Sequence, residues 1–166
     1  MDLTLTLKER LILLNQYRIL ELIDVENADQ YKKLQIILAD AYELEYSELH
    51  QFVARTPFTA AQCRNVLDVL TMFEVLGDSY DALDDKSGIE EWRVRFQGYD
   101  GNNEAEYVGY VRYLVDHGDR FTHVVNGTFN SHRPVVRQYA EMLARFGKHM
   151  GSTRLPKQRI LEIVGQ

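Results

Sequence analysis

The chain has 166 residues, 45% hydrophobic and 27% charged, which suits one ordinary globular domain. A net charge of -6 argues against a general polyanion binder, and the single cysteine, Cys63, excludes an internal disulfide and a multi-cysteine zinc site. No apolar run nears the roughly 20 residues that span a bilayer, and no basic start leads into an apolar block, so a cytoplasmic protein is expected.

The stretch LTLTL (3–7) alternates with period two and predicts a short strand or an extended lead-in. Thr6 and Glu9 then make the S/T-x-x-E capping box of a helix over 7–23. Its apolar residues cover a wide arc, which predicts burial in a bundle. A second helix is predicted over 28–42, with Asn27 and Gln30 as its cap and Tyr31, Leu34, Ile37, Leu38 and Ala41 as its stripe. A short third is expected over 47–54, before Pro57 breaks the chain. Thr59 and Gln62 repeat the capping-box pattern and open a long helix over 60–76. Its stripe is Cys63, Val66, Leu67, Leu70 and Phe73, so Cys63 is expected to be a buried, inert thiol. Gly77 is read as an end or a bend, with 79–83 able to continue the helix.

The polar run DDKSG (84–88) is the candidate sub-boundary within a single domain of 1–166, between an N-terminal and a C-terminal helical half. Residues 89–96 are ambiguous between helix and strand. A helix follows over the second half of FQGYDGNNEAEYVGYVRYLVDH (96–117), and 118–134 read as a long irregular segment. Further helices are predicted over 134–147 and 156–164, the last with Pro156 at its first position. Six or seven helices, no regular strand–helix alternation and no internal repeat make the fold class all-α.

In the 96–117 helix, at 100° per residue, Tyr107, Tyr110, Val111 and Leu114 share one face, with Tyr113 on a flank. Ala105, Gly109, Arg112 and Asp116 lie opposite. A mid-helix glycine costs about 1 kcal/mol relative to alanine. Ala105, Gly109 and Tyr113 are therefore expected at a helix-packing surface or interface. The preceding loop places Asp100, Asn102 and Glu104 on alternate positions, like a calcium loop. The sixth and twelfth positions of that pattern are Ala105 and Val111 instead of Gly and Glu, so capping of the helix by Asp100, Asn102 or Asn103 is preferred.

The run FQGYDGNNEAEYVGYVRYLV resembles the YfbU family of bacterial proteins. Its matched positions are Phe96, Gly98, Tyr99, Asp100, Glu104, Tyr107, Gly109, Tyr110, Val111 and Arg112, with Arg120, Thr122 and His123 further on. The patches ERLILLNQYRIL, CRNVLDVLTMF and RFTH agree. The resemblance implies an all-helical cytoplasmic protein, from a family with no established biochemical activity to carry over.

Charge is uneven: residues 120–166 hold 8 Lys+Arg and 2 Asp+Glu, against 11 and 23 in residues 1–119. Docking of the basic tail on its own acidic body is preferred over an anion site. Arg93, Arg112, Arg120 and His123, with Arg95 nearby, form a candidate site for a small anion or nucleotide. The competing reading pairs them with acidic neighbours. His117, Asp119 and His123 have no diagnostic metal spacing, so no metal and no cofactor is expected.

No nucleotide, hydrolase or metalloprotease motif occurs, no catalytic residue is assigned, and the reading leans against an enzyme. Residues 28–76 loosely suggest a helix-turn-helix, but 60–76 carry only Arg64 as a basic residue. A ribbon built on LTLTL would present only Thr4 and Thr6. A DNA-binding regulator is thus an alternative, with nucleic acid disfavoured. The leading expectation is an interaction or regulatory protein acting as a homo-oligomer, with another protein as a further partner and no membrane association.

Overall fold

Thr6 Oγ1 accepts the Glu9 N–H at 3.3 Å while Glu9 Oε2 accepts the Thr6 N–H at 2.8 Å. This reciprocal box satisfies two orphan donors and starts α1, Leu7–Ile23, as predicted. The computed structural model describes residues 3–50, 56–147 and 154–165. Within them lie seven α-helices and three 3-10 turns, so the fold is all-α. The chain divides into two units, Met1–Pro57 and Phe58–Gln166. The polar run 84–88 lies inside the second.

In the first unit, α1 packs on α2, Ala28–Ala39, across a 3-10 turn at Val25–Asn27. Asn27 occupies the cap position of α2 but donates its side chain to Asp24 at 2.9 Å instead. The Tyr31 hydroxyl joins the same carboxylate at 2.8 Å, and the two bonds hold the Asp24 carboxyl below its ordinary range, Asn27 contributing more. The helix stops short of its predicted end because Ala41 is left-handed, at φ 58°. A 3-10 turn, Glu43–His50, begins earlier than the helix predicted over 47–54; the rest of that stretch lies outside the described residues.

No strand forms over residues 3–6, correcting the first of the two readings of LTLTL. Leu3 and Leu5 are half-buried against Leu34, Ile37 and Tyr46, while Thr4 and Thr6 face solvent. The period of two reflects an extended segment lying on one surface, with no ladder partner among the described residues.

A second correction concerns α1, which contains no buried residue. Its arc is wide because it has two apolar sides. Arg10, Leu13, Leu14, Tyr17 and Glu21 are half-buried. Arg10 donates to the Leu38 carbonyl at 3.2 Å, and Gln35 donates to Glu21 at 2.7 Å, so this side faces α2. The other side is left uncovered by α2.

The second unit is organised by α3, Ala60–Asp81, opened by the predicted Thr59–Gln62 capping box. Val66, Val69, Leu70, Met72, Phe73 and Leu76 are buried along it. Around it pack α4 (Ala105–Asp116), α5 (Thr122–Val125), α6 (Val136–Phe146) and α7 (Lys157–Val164). Gly77 does not end α3, which runs on to Asp81 as the reading of 79–83 allowed. It is buried, and a Cβ there would stand 2.9 Å from the Arg95 Nη1 that crosses the helix.

Residues 89–96 form neither helix nor strand in full; Glu91–Arg93 is a 3-10 turn that buries Val94 and Phe96 beside it. The segment 118–134 contains the short α5 where only irregular chain was expected. Pro156 caps α7 from just outside its first residue, within the usual uncertainty of a helix end. Cys63 is only half-buried, with its sulfur 3.8 Å from the Phe58 carbonyl.

Part of the basic tail docks on its own chain. Lys157 Nζ binds Asp85 at 2.6 Å and Ser87 Oγ at 2.9 Å. The ammonium, helped by Ser87, holds the Asp85 carboxyl far below the usual carboxylate range. Behind it the Leu155 N–H donates to the buried Ser79 Oγ at 2.9 Å, so the tail is anchored by a buried as well as an exposed bond.

Candidate functional site

The motif that carries the family resemblance folds into a two-loop knot. Gly98 has φ 84°, and Tyr99 and Asn130 form a parallel bridge. The Tyr99 N–H donates to the Phe129 carbonyl at 3.1 Å, and the Ser131 N–H donates to the Tyr99 carbonyl at 3.0 Å. Asn130 Oδ1 accepts from Gly101 at 3.0 Å and from His132 at 2.9 Å. Asp100 closes its own loop by accepting from Asn102 and Asn103 rather than by capping α4. Those bonds, led by Asn103, keep its carboxyl below the ordinary range.

The residue at the α4 cap position is Glu104, and its side chain does not cap α4 either. It is 8% exposed, and its two oxygens accept three backbone N–H groups. Asp100 donates at 3.0 Å, Val135 at 2.8 Å and Val136 at 2.9 Å. Val135 and Val136 are the start of α6. Glu104 is therefore the N-terminal cap of a helix 31 residues away in sequence, where a carboxylate also meets the positive end of the helix dipole.

Around the knot the aromatic rings are continuous. Tyr99 packs at 5.0 Å from Tyr107, 5.5 Å from Tyr139 and 5.6 Å from Phe96. Phe58 carries the cluster on from Tyr107 to Tyr110, and Tyr110 stacks with the exposed Tyr113. Tyr139 donates its hydroxyl to the Gly98 carbonyl at 3.0 Å and accepts the Gln97 N–H at 3.2 Å. Burial pushes both Tyr99 and Tyr139 well above the usual phenol range.

The Tyr99 hydroxyl is buried without a hydrogen-bond partner. A buried unsatisfied hydroxyl costs about 1–3 kcal/mol. Tyr99→Phe is thus expected to be neutral or stabilising in urea denaturation. A loss greater than about 1 kcal/mol would show that the hydroxyl is bonded in solution.

The residues singled out for an anion site each have a local partner. Arg93 pairs with Glu90 at 2.7 Å and lies over the Trp92 ring. Arg112 covers Phe129 at 4.4 Å, and Arg120 covers Phe121 at 5.2 Å. His123 Nε2 meets Glu74 at 2.9 Å. His123 also lines a shallow cavity of about 50 Å³ with Phe73, Glu74, Gly77, Asp78, Arg95 and Phe96. Arg95 there is already bound by Asp81 and Glu91. The cavity therefore has more negative than positive charge, and of the four predicted residues it gathers His123 alone.

On the face of α4 opposite Tyr107 and Leu114, the side chains of Ala105, Arg112 and Asp116 are exposed, and so is Gly109. A Cβ on Gly109 would meet nothing within 4 Å, so no other element of the second unit closes on this glycine.

Exposed apolar side chains concentrate in the first unit. Among the described residues, eleven of the thirteen exposed large hydrophobics belong to it. Seven are on α1: Leu7, Leu11, Ile12, Ile19, Leu20, Leu22 and Ile23. Val25, Ile36, Tyr42 and Leu44 add to them, Leu44 being 89% exposed. Isolated exposed leucines are ordinary, but this concentration on about a third of the chain is not. The width of the α1 arc signals this surface in the sequence, but periodicity shows only that a face is apolar and cannot say what covers it.

These features define a class: an all-helical protein whose signature motif joins two helices and whose bare surface is apolar. No helix of the described residues is long and apolar enough to cross a membrane. The family profile of the YfbU domain matches residues 1–165. The chain belongs to the YfbU family, as the motif in 96–112 implied.

Proposed function

We propose that this is a cytoplasmic, non-enzymatic protein that acts by association, first of all with further copies of itself. The observation that carries the reading is the bare apolar side of α1. Burying one such side chain stabilises by about 1.5–3 kcal/mol, and six of them share the open side. Among the described residues of the first unit, Leu34, Ile37, Leu38 and Tyr46 are the buried hydrophobics, against eleven large hydrophobics that are exposed. Interfaces of standard size bury about 800 Å² per partner, which a two-helix face with its flanking turn can supply.

Light scattering at low micromolar concentration tests the reading. The wild type is expected to be oligomeric. Leu11→Lys and Ile19→Lys, both at positions more than half exposed, are expected to keep their helical circular dichroism. Each is expected to weaken association by roughly thirtyfold, the effect of losing about 2 kcal/mol at an interface centre. A wild type that is monomeric at every concentration sinks the proposal.

A further inference from the structure

Resting on that reading, we infer that the bare side of α1 receives the acidic turn Tyr42–Glu45 of a second copy, in a reciprocal two-fold pairing. At 100° per residue, Leu7, Leu11 and Leu22 fall within about 60° of one another on α1, and Ile12, Ile19 and Ile23 extend the arc to about 160°. The charged residues inside that arc are Lys8 and Arg18, and no carboxylate lies within it. The first unit's other lysines are engaged, Lys32 with Asp29 and Lys33 with Glu48. Lys8 and Arg18 form no ion pair among the described residues. The bare side of α1 is thus apolar with two uncommitted cations.

The complementary surface lies elsewhere on the same unit. Tyr42 and Leu44 are exposed at 51% and 89%, where the chain leaves the left-handed Ala41 and enters the Glu43–His50 turn. They alternate with Glu43 and Glu45, neither of which forms an ion pair among the described residues. This turn is apolar with two uncommitted anions. It mirrors the α1 arc in chemistry and has the opposite charge.

Pairing α1 with α1 would bring an arc with only cations against its own copy, and like charges across an interface cost several kcal/mol. Pairing α1 with the turn satisfies both surfaces. In a two-fold dimer the contact occurs twice, because what residue i does to residue j of the partner is repeated in reverse. Each copy then covers the other's α1 arc and has its own covered in return.

The test uses the full chain in two charge-reversed forms, one with Lys8→Glu and Arg18→Glu, the other with Glu43→Lys and Glu45→Lys. In the first form both surfaces are acidic, and in the second both are basic. Each alone is expected to self-associate at least about tenfold more weakly than wild type in sedimentation equilibrium at low salt. Mixed in equal amounts, they are expected to form a heterodimer of near wild-type affinity, since each basic surface then meets an acidic one. Folding failure cannot mimic recovery on mixing.

If wild type associates and either double variant does so equally well, or if the mixture stays apart, the pairing is overturned while self-association stands. A monomeric wild type removes both. Should a variant lose its helical circular dichroism, wild-type affinity decides. Weaker association at about 1 M than at about 0.1 M salt supports the pairing, and no change overturns it.

Discussion

Gly98→Ala is expected to destabilise the second unit by about 3–5 kcal/mol. Two effects add. At φ 84° an L-residue carries roughly 1–2 kcal/mol of left-handed strain. A Cβ at this position would also stand 2.4 Å from the Phe129 carbonyl carbon, 2.5 Å from its oxygen and 2.6 Å from the Asn130 nitrogen. All three are backbone atoms, so no rotamer change relieves the clash. The loops must separate, and the bonds between Tyr99 and the Phe129 and Ser131 backbones go with them.

Gly88 is the internal control, with φ 76° and nothing within 4 Å of its Cβ position. Gly88→Ala retains the strain term alone and should cost about 1–2 kcal/mol. Urea denaturation of both variants measures the difference. Equal costs would mean that the loops of 98 and 129 do not approach as closely as described.

Glu104→Ala is the second large effect, also about 3–5 kcal/mol. Removing the carboxylate leaves the N–H groups of Asp100, Val135 and Val136 without their acceptor. A buried orphan donor costs about 1–3 kcal/mol, and water entering the gap recovers part of the total. The start of α6 is expected to fray, which amide exchange at Val135 and Val136 would report. Glu104→Gln should cost less, since one oxygen still accepts, although its amide then faces a donor. Glu106→Ala, exposed in the first turn of the same helix, should stay within about 0.5 kcal/mol. If Glu104→Ala is as mild as Glu106→Ala, Glu104 does not join the two helices.

Both variants fall in the stretch that identifies the family, and both roles are structural. Gly98, Tyr99, Asp100 and Glu104 hold the α4 and α6 ends together. Arg112 belongs to the same stretch and lies over Phe129, closing the outside of the same knot.

Local rules were legible where the interaction is local. The capping boxes at Thr6 and Thr59 join residues three apart, and both open the helices they predicted. The core face of α4 followed from the helical angle, and Val111 and Leu114 are buried, whereas no element of the second unit packs on Gly109. The loop before α4 was read by the same local rule, and there it misled. Glu104 sits where a cap belongs, yet its acceptors face donors 31 and 32 residues away. At Gly77 the sequence left an end, a bend or a continuation open; α3 runs on to Asp81, and the crossing Arg95 occupies the space that a side chain would need.

The amino-acid sequence by itself determined the all-helical class, the starts of α1 and α3, the core face of α4 and membership of the YfbU family. Each of these depends on neighbours within one or two helical turns, or on the identity of a short motif. Tertiary structure alone decided that Glu104 caps α6, that Gly98 must remain without a side chain, that Lys157 binds the acidic loop at Asp85, and that α2 covers only one of the two apolar sides of α1. A hydrophobic period shows that a face is apolar, and a carboxylate shows that it can accept. What meets them depends on segments tens of residues apart in the chain.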